Sequence, residues 1–220
     1  MVPACLARAL DATLLTPWAD PTGIRALCEE ACALEVAAVC VLPFHVPLAV
    51  SVVAGTSVRV AAAVSFPGGS APPDAKALEA RRAVEAGASE LDAVMNLGAA
   101  RAGDWEVVEA EMRAVRGAAP GATLKWILET AALAEEEVRR AVLLADACGA
   151  DFVKTSTGYG PGGATVEAVR LLRSLAGRMG VKAAGGIRTR RFALELLAAG
   201  ANRLGTSAPR AVLAGEAAGA

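Results

Sequence analysis

Along the chain, short apolar runs rich in Val, Ala, Leu and Ile alternate with longer amphipathic stretches of Ala, Leu, Glu and Arg, and turn residues separate the two. The short runs predict strands at Leu10–Leu14, Ala37–Leu42, Val58–Ser65, Glu90–Asn96, Thr123–Glu129, Phe152–Thr155, Val181–Ala184 and Arg203–Gly205. The longer stretches predict helices, among them Pro72–Ala86, Trp105–Arg116, Ala134–Cys148, Thr165–Arg178 and Arg190–Ala199. A strand with one wet face would alternate apolar with polar residues. These are too continuously apolar for that, so both faces are buried. Eight such strands, each followed by a helix, predict an α/β fold closed into a single (β/α)8 TIM barrel. An open doubly wound sheet is the alternative, but no GxGxxG follows the first strand.

One phrase recurs between a helix and the next strand: Glu85-Ala86-Gly87-Ala88, Cys148-Gly149-Ala150 and Ala199-Gly200-Ala201. Glycine ends the helix in a left-handed conformation and a small residue opens the strand, so the phrase marks the βα unit and carries no chemistry. No linker or shift of composition divides the chain, which predicts one domain over residues 1–220. The tail from Arg210 to Ala220 lacks bulky apolar anchors beyond Leu213 and is expected to fray.

Composition narrows the function classes. Of the 220 residues, 55% are hydrophobic and 20% charged, which excludes intrinsic disorder. A formal net charge of −1 gives no electrostatic reason to expect nucleic acid or an anionic membrane as a partner, so any anion site must be local. Apolar runs are interrupted by Gly, Pro or charge before they reach membrane-spanning length, and Met1–Leu10 is too short and broken for a signal peptide. The five cysteines (Cys5, Cys28, Cys32, Cys40, Cys148) form no CxxC pair, and His45 is the only histidine. Neither a metal site nor a cofactor is expected, and idle thiols in a reducing cytoplasm are the plainer reading.

The lysines are more informative. Of 22 cationic side chains only Lys76, Lys125, Lys154 and Lys182 are lysines, leaving 18 arginines. A chain that uses Arg for most fixed charges has kept Lys at three strand positions. Arg cannot shed its proton, whereas Lys becomes a free amine when desolvated or placed beside another cation. A strand-end lysine can also simply snorkel to solvent. In a barrel the active site lies at the C-terminal strand ends, and the alternation of side chains lets Lys154 and Lys182 both point into the mouth. Two adjacent cations are expected to disfavour each other's protonation, leaving the free amine that carbonyl attack needs. Asp92, on the same strand face as Glu90 and nearer the mouth, is expected within reach of Lys182 as a proton relay. A buried ion cluster that only specifies packing is the alternative.

Three glycine-containing turns follow the last three strands: Thr155-Ser156-Thr157-Gly158, Gly185-Gly186 and Gly205-Thr206-Ser207. Backbone N–H groups there can approach an anion closely, as barrel phosphate sites do. Arg188 can supplement such a site or remain a surface charge.

Several segments carry a resemblance, in order from about residue 6 to about residue 210: Leu10–Leu15, Val39–Pro43, Glu90–Ala99, Leu124–Thr130, Gly149–Gly158, Val181–Thr189 and Gly205–Ser207. The D-F-V-K-T-S-T-G and K-A-A-G-G-I-R-T stretches are specific when found together, and the chain resembles the deoxyribose-phosphate aldolases. The resemblance implies a metal-free, cofactor-free Schiff-base aldolase that cleaves 2-deoxy-D-ribose 5-phosphate to D-glyceraldehyde 3-phosphate and acetaldehyde. It assigns the Schiff base to Lys154 and proton transfer to Asp92 and Lys182. It implies that Gly158, Gly185, Gly186, Gly205 and Ser207 lie around the phosphate. The strand-end reading, apart from the resemblance, offers Asp11, Thr13, Cys40 and Thr157 as substrate-binding candidates and Arg188 as a further phosphate-site candidate. The resemblance also implies a homodimer or homotetramer. Ala12, Leu42, Gly68 and Ala208 depart from the family's usual residues, and the tail lacks the tyrosine that some members use. Two other readings stand beside this one: an aldolase for a different phosphorylated aldehyde, and a non-catalytic sugar-phosphate-binding barrel. Leu42, Tyr159 and Trp126 are read as pocket residues that would set the fit.

Overall fold

The computed structural model describes residues 6–214; Cys5 and the tail from residue 215 lie outside them. Eight parallel strands close into a barrel in the order of the sequence, with the last paired to the first. The elements are β1 (Leu10–Leu14), α1 (Pro21–Ala33), β2 (Ala38–Val41), α2 (Val46–Val53), β3 (Arg59–Val64), α3 (Pro73–Glu85), β4 (Glu90–Val94) and α4 (Leu97–Ala102). They continue with α5 (Trp105–Ala118), β5 (Thr123–Ile127), α6 (Glu135–Ala147), β6 (Phe152–Lys154), α7 (Val166–Leu175), β7 (Gly180–Ala184), α8 (Arg190–Ala198), β8 (Arg203–Thr206) and α9 (Pro209–Ala214). This is the (β/α)8 TIM barrel that the pattern predicts.

The main core lies between the strands and the helix ring. On β4 and β5 it takes Leu91, Ala93, Leu124 and Trp126, and from the helix ring such residues as Met112 and Val115 of α5. Each large side chain so buried contributes about 1.5–3 kcal/mol. Trp126 belongs to this layer and does not line the mouth, because alternation on β5 sends it outward while Lys125 points inward. Helix starts are set locally: the side chains of Asp20, Asn96, Asp104, Thr165 and Thr189 each accept an N–H of the first turn, each worth about 1 kcal/mol.

Two predicted strands stop two residues short of their predicted ends, and both ends matter. β4 ends at Val94 because the side chain of Asn96 accepts the Ala99 N–H and starts α4. β5 ends at Ile127 because Glu129 adopts a left-handed backbone, φ 52°. The end of β4 is also held from outside the barrel. Lys76 Nζ donates to Val94 O at 2.8 Å and to Glu111 at 2.5 Å, and Glu111 accepts the Asn96 N–H at 2.7 Å. Burial lowers the Lys76 pKa and raises that of Glu111, against the attraction between them.

Candidate active site

The inside of the barrel is charged where such barrels usually stack Val, Ile and Leu. Register explains how the charges meet: Asp92 lies beside Lys125, Lys154 beside Lys182, and Lys182 beside Arg203. Asp92 is at the centre. Its Oδ1 accepts from Lys125 at 2.9 Å, and its Oδ2 from Lys154 at 2.7 Å and Lys182 at 2.6 Å. Lys125 also pairs with Glu90 at 2.6 Å. Lys182 also pairs with Asp11, and Arg203 bridges Asp11 (2.5 Å) and Glu90 (3.1 Å). Four buried cations therefore face three buried carboxylates, and the half-exposed Arg59 adds a fifth cation, paired with Glu90 at 2.9 Å.

The protonation states follow from that balance. Burial pushes the Asp92 carboxyl upward, but Lys125, Lys154 and Lys182 outweigh it and hold its pKa well below the ordinary carboxylate value. Asp11 is likewise lowered, Lys182 and Arg203 overcoming burial. Burial pulls the Lys182 ammonium down, yet Asp11 and Asp92 together raise its pKa above the ordinary lysine value. For Lys182 this corrects the expected mutual depression of the two amines: the carboxylate set between them, and Asp11 behind, raise its pKa despite burial. Its two carboxylate partners thus favour the charged form of Lys182.

Above the cluster opens a cavity of about 260 Å³. Lys154 borders it, with Thr13, Thr157, Gly158, Tyr159, Gly185, Gly186, Arg188, Gly205, Thr206 and Ser207. Neither Lys125 nor Lys182 does, and both are fully buried beneath it. Among the barrel lysines the cavity thus reaches Lys154 alone.

The phosphate candidates Gly158, Gly185, Gly186, Arg188, Gly205 and Ser207 all come together on this wall. Gly185 and Gly186 are both left-handed, φ 92° and 78°, a pair of conformations that side chains would strain. Among the described residues the backbone N–H groups of Gly186 and Ser207 have no intramolecular partner. They are free to meet an anion. Arg188 is exposed and joins no ion pair among the described residues.

Of the four substrate-binding candidates, Thr13 and Thr157 line the cavity; Asp11 and Cys40 do not. Asp11 lies below it, engaged by Lys182 and Arg203. Cys40 is fully buried 3.9 Å from Asp92 Oδ2, and burial, then the Asp92 charge, push its thiol up to about 11. Cys40 sits in a small apolar cluster with Leu15, Ala61 and Ala63, against which Leu42 and Phe66 pack. Phe66 meets Tyr159 edge-on, ring centroids 5.3 Å apart. Leu15 and Tyr159 thus give the cavity an apolar side.

Lys125 and Glu129 stand among the C-terminal strand ends of the sequence without an assigned role, and Glu90 and Arg203 likewise carry none there. The polar alternation of Glu90 and Asp92 was the visible signal for a second buried carboxylate, and it calls for further cations. Glu129 offered only a carboxylate at the end of an apolar run; the structure buries it against Thr157.

Comparison with known proteins agrees with this geometry. The family described as DeoC/LacD family aldolase matches residues 9–215. The deoxyribose-phosphate aldolase of Deinococcus radiodurans is 50% identical over 203 residues, 92% of each chain. That of Thermococcus kodakarensis is 50% identical over 207 residues, again 92% of each. Among solved structures, the tetrameric deoxyribose phosphate aldolase from Aeropyrum pernix superposes with a TM-score of 0.89 at 35% identity, covering 95% of this chain and 89% of its own.

Proposed function

The chain belongs to the DeoC/LacD aldolase family, and from that premise we propose that it cleaves 2-deoxy-D-ribose 5-phosphate to D-glyceraldehyde 3-phosphate and acetaldehyde, reversibly, through a Schiff base on Lys154. The observation that carries the assignment is that Lys154 is the barrel lysine bordering the cavity, while its Nζ touches a carboxylate that is itself locked to two further cations. A binding protein has no use for that arrangement.

The chemistry uses these groups as follows. Lys154 gives up a proton, and its free amine adds to the aldehyde carbon of the open-chain sugar. Loss of water from the carbinolamine leaves an iminium. Asp92 Oδ2, in contact with both amines, accepts and returns the protons of these steps. Deprotonation of the substrate's C3 hydroxyl breaks the C2–C3 bond. Glyceraldehyde 3-phosphate departs and the bonding pair moves into an enamine on Lys154. Protonation at C2 and hydrolysis release acetaldehyde. Lys182, held charged, balances Asp92 through the cycle. The phosphate lies against Gly158, Gly185, Gly186, Gly205 and Ser207, with Arg188 adding charge from the rim.

The reading extends to one domain over the whole chain and to assembly as a homodimer or homotetramer, in keeping with the tetrameric Aeropyrum relative. No helix of the described residues is long and apolar enough to cross a membrane. We place the enzyme in the cytoplasm, where its thiols stay reduced. Steady-state cleavage assays test the substrate: deoxyribose 5-phosphate should be turned over with a specificity constant far above that of unphosphorylated deoxyribose. Equal constants for the two sugars would remove the phosphate site from the account.

A further inference from the structure

Glu129 is a buried carboxylate, 2% exposed, that pairs with no cation among the described residues. It sits outside the cavity lining, on a left-handed backbone at the end of β5. Both its donors belong to one residue of the cavity wall. The N–H and the hydroxyl of Thr157 converge on Glu129 Oε2, at 3.0 and 2.5 Å. The Thr157 hydroxyl in turn accepts the Tyr159 N–H at 3.0 Å. Gly160 closes the turn so near the carboxylate that a Cβ there would lie 2.5 Å from the Glu129 carboxyl carbon.

The hydrogen inventory of this relay is restrictive. A threonine hydroxyl has one hydrogen to give and two lone pairs. The hydrogen goes to Glu129 and one lone pair takes the Tyr159 N–H, so only a lone pair is left. Whatever meets Thr157 from the cavity must bring its own hydrogen: a sugar hydroxyl qualifies, a phosphate or carbonyl oxygen does not.

We infer that Glu129 is a positioning residue that fixes the Thr157 hydroxyl as an acceptor, so that this wall selects an acceptor aldehyde carrying a hydroxyl next to its carbonyl. The inference rests on the aldolase reading above and adds to it the source of one specificity. It is tested in the condensation direction with acetaldehyde and either D-glyceraldehyde 3-phosphate or 3-oxopropyl phosphate, the same acceptor without its 2-hydroxyl. The native enzyme should prefer the hydroxylated acceptor by about tenfold in kcat/KM, mostly through KM, as one hydrogen bond warrants. Glu129→Met keeps the volume but removes the acceptor, and should bring the preference to within about twofold. Glu129→Gln can keep a carbonyl oxygen facing Thr157 and should retain the preference. Gly160→Ala, in an exposed turn, pushes a methyl into the carboxylate and should act like Glu129→Met. It decides the matter should the buried substitution fail to fold. A preference unchanged in Glu129→Met or Gly160→Ala overturns the inference, as does its loss in Glu129→Gln or its absence in the native enzyme. Failure of the native enzyme to condense either acceptor would instead remove the aldolase reading itself.

Discussion

Replacing Asp92 by Asn removes the one charge on which three lysines converge, and the structure indicates where the cost falls. Lys125 keeps Glu90, and Lys182 keeps Asp11. Lys154 keeps nothing, because Asp92 is its ion-pair partner among the described residues. Removing one member of a buried ion pair costs about 3–5 kcal/mol. Here the low end applies, since a single cation is orphaned and it borders a cavity that admits water. About 3 kcal/mol lowers the melting temperature of a chain this size by roughly 6–12 °C. The pH dependence carries a sign. The folded Asp92 pKa is depressed, so its stabilisation is fully present above the unfolded carboxylate value near 4 and lost as pH falls through the folded value. The deficit of the variant should therefore be flat near neutrality and shrink in acid. Adding Lys154→Met removes the orphaned charge and should return at least half of the lost stability, which a thermal or urea double-mutant cycle measures. Turnover of Asp92→Asn should fall about 100-fold or more, with KM little changed. A melting temperature within about 2 °C of the native protein, or a double variant no more stable than the single, would refute this reasoning.

Two other outcomes follow from the cavity and its floor. Gly186→Val puts a branched side chain on a left-handed residue of the anion wall, so KM for the phosphorylated sugar should rise at least tenfold while that for unphosphorylated deoxyribose moves little; an unchanged KM would exclude backbone approach there. The Cys40 thiol, pushed up to about 11, should resist iodoacetamide at pH 8, with labelling that steepens only as pH climbs toward that value; rapid modification at neutral pH would show that Cys40 is not sealed beneath the cavity.

Much of the architecture was readable because barrel strands are buried on both faces, and so stand out as unbroken apolar runs between helix-period stretches. Strand ends were less readable. The apolar run through Met95 and Leu128 continues past the last ladder bond, and Asn96 and Glu129 stop the strand by cap and backbone geometry that hydrophobicity does not encode. That Lys154 and Lys182 would meet Asp92 inside the barrel was legible from residue type and strand alternation, since a chain rich in Arg had placed Lys on strands. The rest of their network was not. Asp11 and Arg203 stand 192 positions apart and meet only because β8 closes on β1, a consequence of register and closure. The raised pKa of Lys182 depends on that closure, which is why the pairwise argument from two neighbouring amines gave the wrong sign for it.

The central claim is that Lys154 forms the covalent intermediate. Borohydride reduction of the enzyme in the presence of acetaldehyde or deoxyribose 5-phosphate, followed by peptide mapping, tests it most directly. A stable adduct of one substrate-derived group per chain should appear on Lys154, and Lys154→Arg, which keeps the charge but forms no imine, should show neither adduct nor cleavage. An adduct on Lys125 or Lys182, or undiminished cleavage by Lys154→Arg, would contradict the account.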